Sequence, residues 1–453
     1  MITTVNPSSG APLETYAELD AAALDARLAA AVAAQARWSR RTFAERAKVL
    51  MAVAQRLQSA APALARSMAL EMGKPLAQGE AEVTKSAWVC RHYAEHAEAW
   101  LADEPVTVDT GSAAVVHAPL GVILGIMPWN YPLWQVLRFV APTVMAGNVV
   151  VLKHAPNVTG TALQLAALLD EAGLGEGVYT PLVIDLDATA QVIADPRVQA
   201  VSLTGSVRAG RAVAATAGQS LKKCVLELGG SDAYVVLDDA DVEAAARASV
   251  TARMVNAGQS CIAAKRWIVT SAVRPAFEAA VTNLLRREVV GDPLLDGTTQ
   301  GPMARMDLRD ELDRQVRACR DAGARVVMGG ECPEGPGSFY PVTLLTDVGP
   351  GAPAWDQELF GPVATLIEVA DAAAALEVAN GTPFGLGGAV FSADVARAEQ
   401  FARAMRSGAV GVNRPVVSDP RLPFGGVGHS GYGRELGRHG LMEFVNVRAV
   451  MRA

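Results

Sequence analysis

The chain has 453 residues, 51% of them hydrophobic and 19% charged, a balance that suits a compact globular protein and excludes a disordered one. That length exceeds what one hydrophobic core organises, so two or three domains are expected. A formal net charge of -7 without long like-charge runs leaves nothing to attract nucleic acid or an anionic membrane, which favours a small-molecule substrate.

In chain order, the opening MITTVNPSSGAPLETYAELD has neither a basic start nor an apolar centre, so no signal peptide is expected. The first hundred or so residues read as helices. Thr42 and Glu45 form a T-x-x-E capping box ahead of an apolar-periodic run from Ala47 to Leu57, and a second helix is expected from about Gln78 to Leu101. Val106 to Val116 then turns β-rich, with Asp109 and Gly111 inside it, which predicts a hairpin. Ala118 to Leu137 carries no charge and is long enough to span a bilayer, but Pro119, Pro128, Asn130 and Pro132 divide it into a strand, a loop and a helix start. Strands expected at Val122–Met127, Val149–Lys153, Thr180–Asp185, Ala200–Thr204 and Lys222–Leu228 alternate with helical patterns, the signature of a parallel sheet covered on both faces. A second α/β pattern follows, with strands expected at Ala233–Leu237, Arg266–Val269, Arg325–Met328, Gly388–Phe391 and Ala409–Val412. The two patterns meet near residue 229. The five cysteines (Cys90, Cys224, Cys261, Cys319, Cys332) form no C-x-x-C pair and read as a reducing, cytoplasmic setting, not a disulfide framework.

Four short segments carry chemistry. No G-x-G-x-x-G follows a strand, but Thr204-Gly205-Ser206 closes one expected strand and opens a helix whose free N–H groups suit a phosphate. An ordinary strand–turn–helix junction fits the same residues. In Asn256-Ala257-Gly258-Gln259-Ser260-Cys261, small and polar neighbours point to an accessible thiol, against the alternative of an inert packed cysteine. Glu227 ends an apolar strand before Leu228-Gly229-Gly230; buried and unpaired it would be a general base, and capping or ion pairing is the alternative. Pro128-Trp129-Asn130-Tyr131-Pro132 is a rigid loop at a strand end carrying one amide.

These segments stand in the order and approximate spacing of the aldehyde dehydrogenase superfamily, which the chain resembles from Val5 to its C-terminus. Further matching motifs are Asn6-Pro7-Ser8-Ser9-Gly10, Val151-Leu152-Lys153, Glu358-Leu359-Phe360-Gly361-Pro362, Pro423-Phe424-Gly425-Gly426 and Ser430-Gly431-x-Gly433-Arg434-Glu435. Within that superfamily the chain looks most like bacterial succinate-semialdehyde dehydrogenases of the compact type. The resemblance implies an α/β fold: a Rossmann-like dinucleotide-binding domain (1–103 and 118–229), an α/β catalytic domain (230–430) and a small β oligomerisation arm (104–117 and 440–453). It also implies a homodimer or homotetramer. Cys261 would be the nucleophile, Asn130 and the Cys261 N–H the oxyanion donors, and Glu227 the base that activates water against a thioester. Cofactor contacts would come from Trp129, Asn130, Lys153, His154, Ala155, Pro156, Gly205, Ser206, Leu228 and Glu358.

The sequence departs from the family at three places. Pro156 stands where many NAD-preferring relatives have a glutamate, so NADP should be admitted alongside NAD and preferred if the lost repulsion decides. Gly428, beside His429, replaces the lysine of the P-F-G-G-x-K motif. Ala263 replaces a cysteine that gates some succinate-semialdehyde enzymes by a disulfide. For the carboxylate of the substrate the resemblance offers Arg138 and Ser418, with Arg253 as a further cation; an arginine paired on its own helix is the alternative for Arg138. Competing readings are another small aldehyde such as glutarate semialdehyde, a CoA-acylating dehydrogenase, a thiol hydrolase without nucleotide, and a catalytically silent relative.

Overall fold

The computed structural model describes residues 1–453. The capping box forms as expected: Thr42 and Glu45 bond reciprocally at the start of helix Phe43–Ser59, and the second helix runs Leu76–Trp100. The uncharged stretch resolves into strand Val122–Met127, a loop, and helix Trp134–Met145, every residue of which is buried. No helix is long and apolar enough to cross a membrane.

A six-stranded sheet takes the spatial order Gly431–Tyr432, Lys223–Glu227, Val198–Thr204, Val122–Met127, Val149–His154, Tyr179–Pro181. All its pairings are parallel except that of Gly431–Tyr432. The chain fills this sheet outward in both directions from Val122–Met127, so the order reverses between Val122–Met127 and Val198–Thr204. In such sheets ligands bind in the crevice outside the carboxyl ends at that reversal. Here the crevice lies beyond Met127 and Thr204.

A seven-stranded sheet follows in the order Arg325–Met328, Thr343–Thr346, Val363–Val369, Arg266–Thr270, Ala233–Val236, Gly387–Phe391, Ala409–Val412, with only the first pair antiparallel. Its inner strands alternate between two apolar cores: Ala233 and Val235 pack in one, Tyr234 and Val236 in the other. Helices therefore cover both faces.

Several expectations need correction. The N-terminal hundred residues are not all helix, because Ile2–Val5 and Pro12–Tyr16 pair as a two-stranded antiparallel sheet. The strand expected over Thr180–Asp185 shortens to Tyr179–Pro181, since Asp185 accepts a bond from the Ala188 N–H and caps helix Leu186–Ala194. Strands Thr343–Thr346 and Val363–Val369 were not expected; both are short apolar runs whose period does not distinguish strand from helix. The hairpin exists, as Glu104–Val106 against Ser112–Pro119. Val445–Arg452 adds to its other edge in unbroken antiparallel register from Val445↔Pro119 to Arg452↔Ser112, and after Val445 that strand is exposed along its whole length.

Candidate active site

The crevice at the strand reversal is a cavity of about 250 Å³ lined by Pro128, Trp129, Asn130, Thr204, Gly205, Ser206, Leu228, Gly229, Glu358 and Cys261, among others. Ser206 borders the cavity and caps helix Val207–Gln219 by accepting the Ala209 N–H, so a helix N-terminus, whose first amides have no helical partners, stands at the cavity edge. That is the donor arrangement a pyrophosphate uses. Glu358 stands on the opposite wall, fixed by Lys265 Nζ at 3.1 Å and by the Gly230 N–H at 3.2 Å.

Cys261 also opens onto a second cavity of about 300 Å³, lined by Lys74, Gln78, Glu82, Lys85, Trp134, Arg138, Val255, Ser418 and Phe424 with their neighbours. The thiol thus sits where two cavities adjoin. The backbone leading to it is strained: Asn256, Ala257 and Gly258 have φ of 57°, 51° and 69° in succession. Left-handed backbone is uncommon outside glycine and is held only where surroundings over-determine it. The restraints are visible. The Asn256 side-chain amide donates to the Asn130 carbonyl at 2.8 Å and to the Gln259 carbonyl at 3.1 Å. A Cβ at Gly258 would stand 2.1 Å from the Gly361 carbonyl oxygen, so only glycine fits. Lys265 Nζ donates to the carbonyls of Ser260 at 2.8 Å and Cys261 at 2.6 Å. Burial pushes the Cys261 thiol up to about 11 against the lowering influence of Arg138 and Lys265.

The Asn130 amide is oriented from both ends: Oδ1 accepts from Gln135 Nε2 at 3.1 Å, and Nδ2 donates to the Gln259 carbonyl at 3.0 Å. Its own carbonyl receives Lys74 Nζ at 2.9 Å. The loop amide and the thiol loop are therefore one hydrogen-bonded unit.

Glu227 is buried at the carboxyl end of its strand, level with Thr204 across the sheet. Neither carboxylate oxygen has a hydrogen-bond partner. Its pKa is raised well above the ordinary carboxylate value by burial first and then by Glu435, while Arg138 and Arg434 oppose the rise. The carboxylate lies behind the cavity walls, where a Cβ at Gly425 would come within 2.6 Å of Oε1. No hydrogen bond holds the carboxylate in that position.

Arg253 is not a substrate contact. It is fully buried outside both cavities, donating to the carbonyls of Val363 at 2.7 Å, Gly258 at 3.2 Å, Leu359 at 2.8 Å and Gly361 at 2.6 Å. It ties the thiol loop to the segment carrying Glu358. Arg138 does line the second cavity, but its guanidinium is ion-paired with Glu435, touches Thr204 Oγ1 at 3.3 Å and lies 4.8 Å from the centre of the Phe424 ring. Ser418 lines the same cavity and accepts from Lys85 Nζ at 2.7 Å.

Of the expected cofactor residues, Lys153, His154, Ala155 and Pro156 do not border the cavity at the strand reversal. His154 is a brace: its Nε2 bonds the Pro132 carbonyl at 2.9 Å, Nδ1 receives the Ala155 N–H at 2.9 Å, and burial pulls its pKa down to about 4. Pro156 faces a separate cavity shared with Asn157 and Arg305. Lys153, at the end of its strand, is half-buried, and burial lowers its pKa. Sequence reasoning missed Lys85 and Lys265. Lys85 shares one face of its helix with Gln78 and Glu82, a polar stripe on a long helix that the spacing alone displays. Lys265 interrupts the run into strand Arg266–Thr270, an unusual place for a fully buried lysine.

Comparison with known proteins agrees with this geometry. The profile described as "Aldehyde dehydrogenase family" matches residues 1–450. A probable succinate-semialdehyde dehydrogenase [NADP(+)] of Synechocystis sp. is 45% identical over 449 residues, covering 99% of both chains. The succinate semialdehyde dehydrogenase [NAD(P)+] Sad of Escherichia coli (strain K12) is 44% identical over 449 residues, 99% of this chain and 97% of that one. The crystal structure of succinic semialdehyde dehydrogenase from Streptococcus pyogenes, in complex with NADP+, superposes over 100% of both chains with a TM-score of 0.97 at 36% identity. With the profile running through nearly every residue, and with the Cys261 thiol and the Asn130 amide meeting at one crevice, the chain belongs to the aldehyde dehydrogenase family.

Proposed function

We propose that the protein oxidises succinate semialdehyde to succinate with NADP or NAD. The observation that carries the reading is the position of Cys261 between two cavities, one at the strand reversal and one with cationic groups in its wall. The names of the relatives support the substrate and cofactor. The lining of the first cavity fits a dinucleotide: the helix N-terminus at Ser206 for phosphate, the Glu358 carboxylate for ribose hydroxyls, and Trp129 and Leu228 as apolar walls. The NADP(+) in the names of the relatives supports admission of NADP.

The Cys261 thiolate adds to the aldehyde carbon, and the oxyanion takes hydrogen bonds from Asn130 Nδ2 and the Cys261 N–H. The bound nicotinamide supplies the acceptor for the hydride that leaves as the thioester forms. Glu227 then takes a proton from water as the oxygen attacks the thioester carbon, the C–S bond breaks, and the acid departs. The residues divide as a dinucleotide-binding part (1–103 and 118–229), a catalytic part (230–430) and an arm (104–117 and 440–453). The exposed three-stranded sheet of that arm supports a homodimer or homotetramer. Free thiols at all five cysteines support a cytoplasmic setting.

Steady-state assays with succinate semialdehyde, glutarate semialdehyde, butanal and benzaldehyde, each with NADP and NAD, test the reading. Succinate semialdehyde should give the highest kcat/KM, and Cys261→Ala should abolish turnover while cofactor still quenches tryptophan fluorescence. Equal kcat/KM for succinate semialdehyde and butanal would overturn the substrate.

A further inference from the structure

The second cavity has three cations in its wall: Lys74, Lys85 and Arg138. Two are already neutralised. Lys74 is ion-paired with Glu82, and Arg138 with Glu435. Lys85 has no carboxylate within ion-pair distance; its ammonium bonds only the Ser418 hydroxyl, at 2.7 Å, and lies 4.3 Å from the centre of the Trp134 ring. An ammonium held between an aromatic face and a hydroxyl, largely removed from water, attracts an anion strongly because little screening intervenes.

Resting on the substrate reading above, we propose that Lys85, with Ser418, binds the far carboxylate of the substrate and sets the preference for a four-carbon ω-carboxy aldehyde. The Ser418 oxygen accepts from Lys85, which leaves its own O–H to donate to the same carboxylate. Helix Leu76–Trp100 delivers the lysine: Gln78, Ala81, Glu82 and Lys85 follow one face at helical spacing and all border the cavity. Arg138 then has a different task. Its charge is paired with Glu435, and both groups act on the Glu227 carboxylate.

The ionisation of Lys85 gives a second handle. Burial pulls its pKa down to about 8, with Arg138 on helix Trp134–Met145 pushing the same way, and Glu82 on its own helix, Asp419 beside Ser418 and Cys261 on the thiol loop opposing. The ammonium form is the one that binds a carboxylate, so binding is present below that pH and lost as pH rises through it. The carboxylate stays ionised throughout.

The test compares Lys85→Met and Lys85→Arg with the unaltered enzyme, using succinate semialdehyde and butanal. Methionine keeps an unbranched stem against Trp134 and removes the charge. In Lys85→Met, kcat/KM for succinate semialdehyde should fall about 30-fold or more, carried by KM, while butanal changes by less than about threefold. Lys85→Arg should recover most of the loss. KM for succinate semialdehyde should rise above pH 8 in the unaltered enzyme, and neither the butanal reaction nor Lys85→Met should show that rise. Equal losses on both substrates in Lys85→Met, with no recovery by arginine, would overturn the proposal and leave Lys85 a packing residue. So would an undiminished preference in Lys85→Met, which would return the role to Arg138. Failure of the substrate reading looks different: the unaltered enzyme would then show no preference for succinate semialdehyde.

Discussion

Replacing Arg253 by methionine separates a scaffold role from a substrate role. The guanidinium is fully buried and makes four hydrogen bonds to backbone carbonyls, those of Val363, Gly258, Leu359 and Gly361. Bonds from a charged donor contribute about 2 kcal/mol each, roughly 8 kcal/mol together. Against this stands desolvation, which pulls the pKa from 12.5 to about 9. At roughly 1.36 kcal/mol per decade that offsets about 5 kcal/mol. Arg253→Met should therefore destabilise by about 3 kcal/mol. An unfolding entropy of about 2.1 cal/mol/K per residue amounts to roughly 1 kcal/mol/K for this chain, so the melting temperature should fall by about 3 °C. Because the same bonds anchor the Gly258 turn, kcat should fall together for succinate semialdehyde and butanal. Scanning fluorimetry and parallel kinetics on both substrates give the answer. An unchanged melting temperature with a loss confined to succinate semialdehyde would refute the reasoning and make Arg253 a substrate contact after all.

Glu227→Gln should leave hydride transfer but slow thioester hydrolysis by about 10²–10⁴, so stopped-flow absorbance would show a burst of one reduced cofactor per site before a slow phase. Since burial raises the Glu227 pKa, its basic form accumulates as pH rises; the steady-state rate of the unaltered enzyme should climb through that ionisation, and the glutamine variant should lack it. Asn130→Ala should cost about 10²–10³ in kcat on either aldehyde, the scale for one oxyanion donor, and a loss seen only in KM would count against it.

Much of this site was legible because motif residues do local, checkable work. Asn256 tolerates left-handed backbone and reaches Asn130; Gly258 admits the Gly361 carbonyl; Ser206 caps a helix. Residue type announces each of these demands. What stayed hidden depends on distant partners. Arg138 reads as a free cation in sequence, and only folding brings Glu435 to it. Arg253 reads as a candidate contact two positions from Val255, but the helix ends at Met254 between them, and Val255 faces the cavity while Arg253 does not. Among strands, the alternating or long apolar runs were evident, whereas Thr343–Thr346 has too few residues for a period to register.

The antiparallel addition of Gly431–Tyr432 beside Lys223–Glu227 has a consequence for how the molecule comes into being. The two strands lie some 200 residues apart in sequence, and Gly425, Arg434 and Glu435, which crowd the Glu227 carboxylate, arrive with the later one. During synthesis the parallel strands from Val122 to Glu227 can collapse as soon as they emerge, since domains fold in order of appearance. Until the later strand arrives, the outer edge of Lys223–Glu227 has no partner in the sheet. Only when the returning strand closes that edge is water expelled and the proton affinity raised. The catalytic base is thus completed last: the returning strand, and not the one that carries Glu227, brings the groups that crowd its carboxylate.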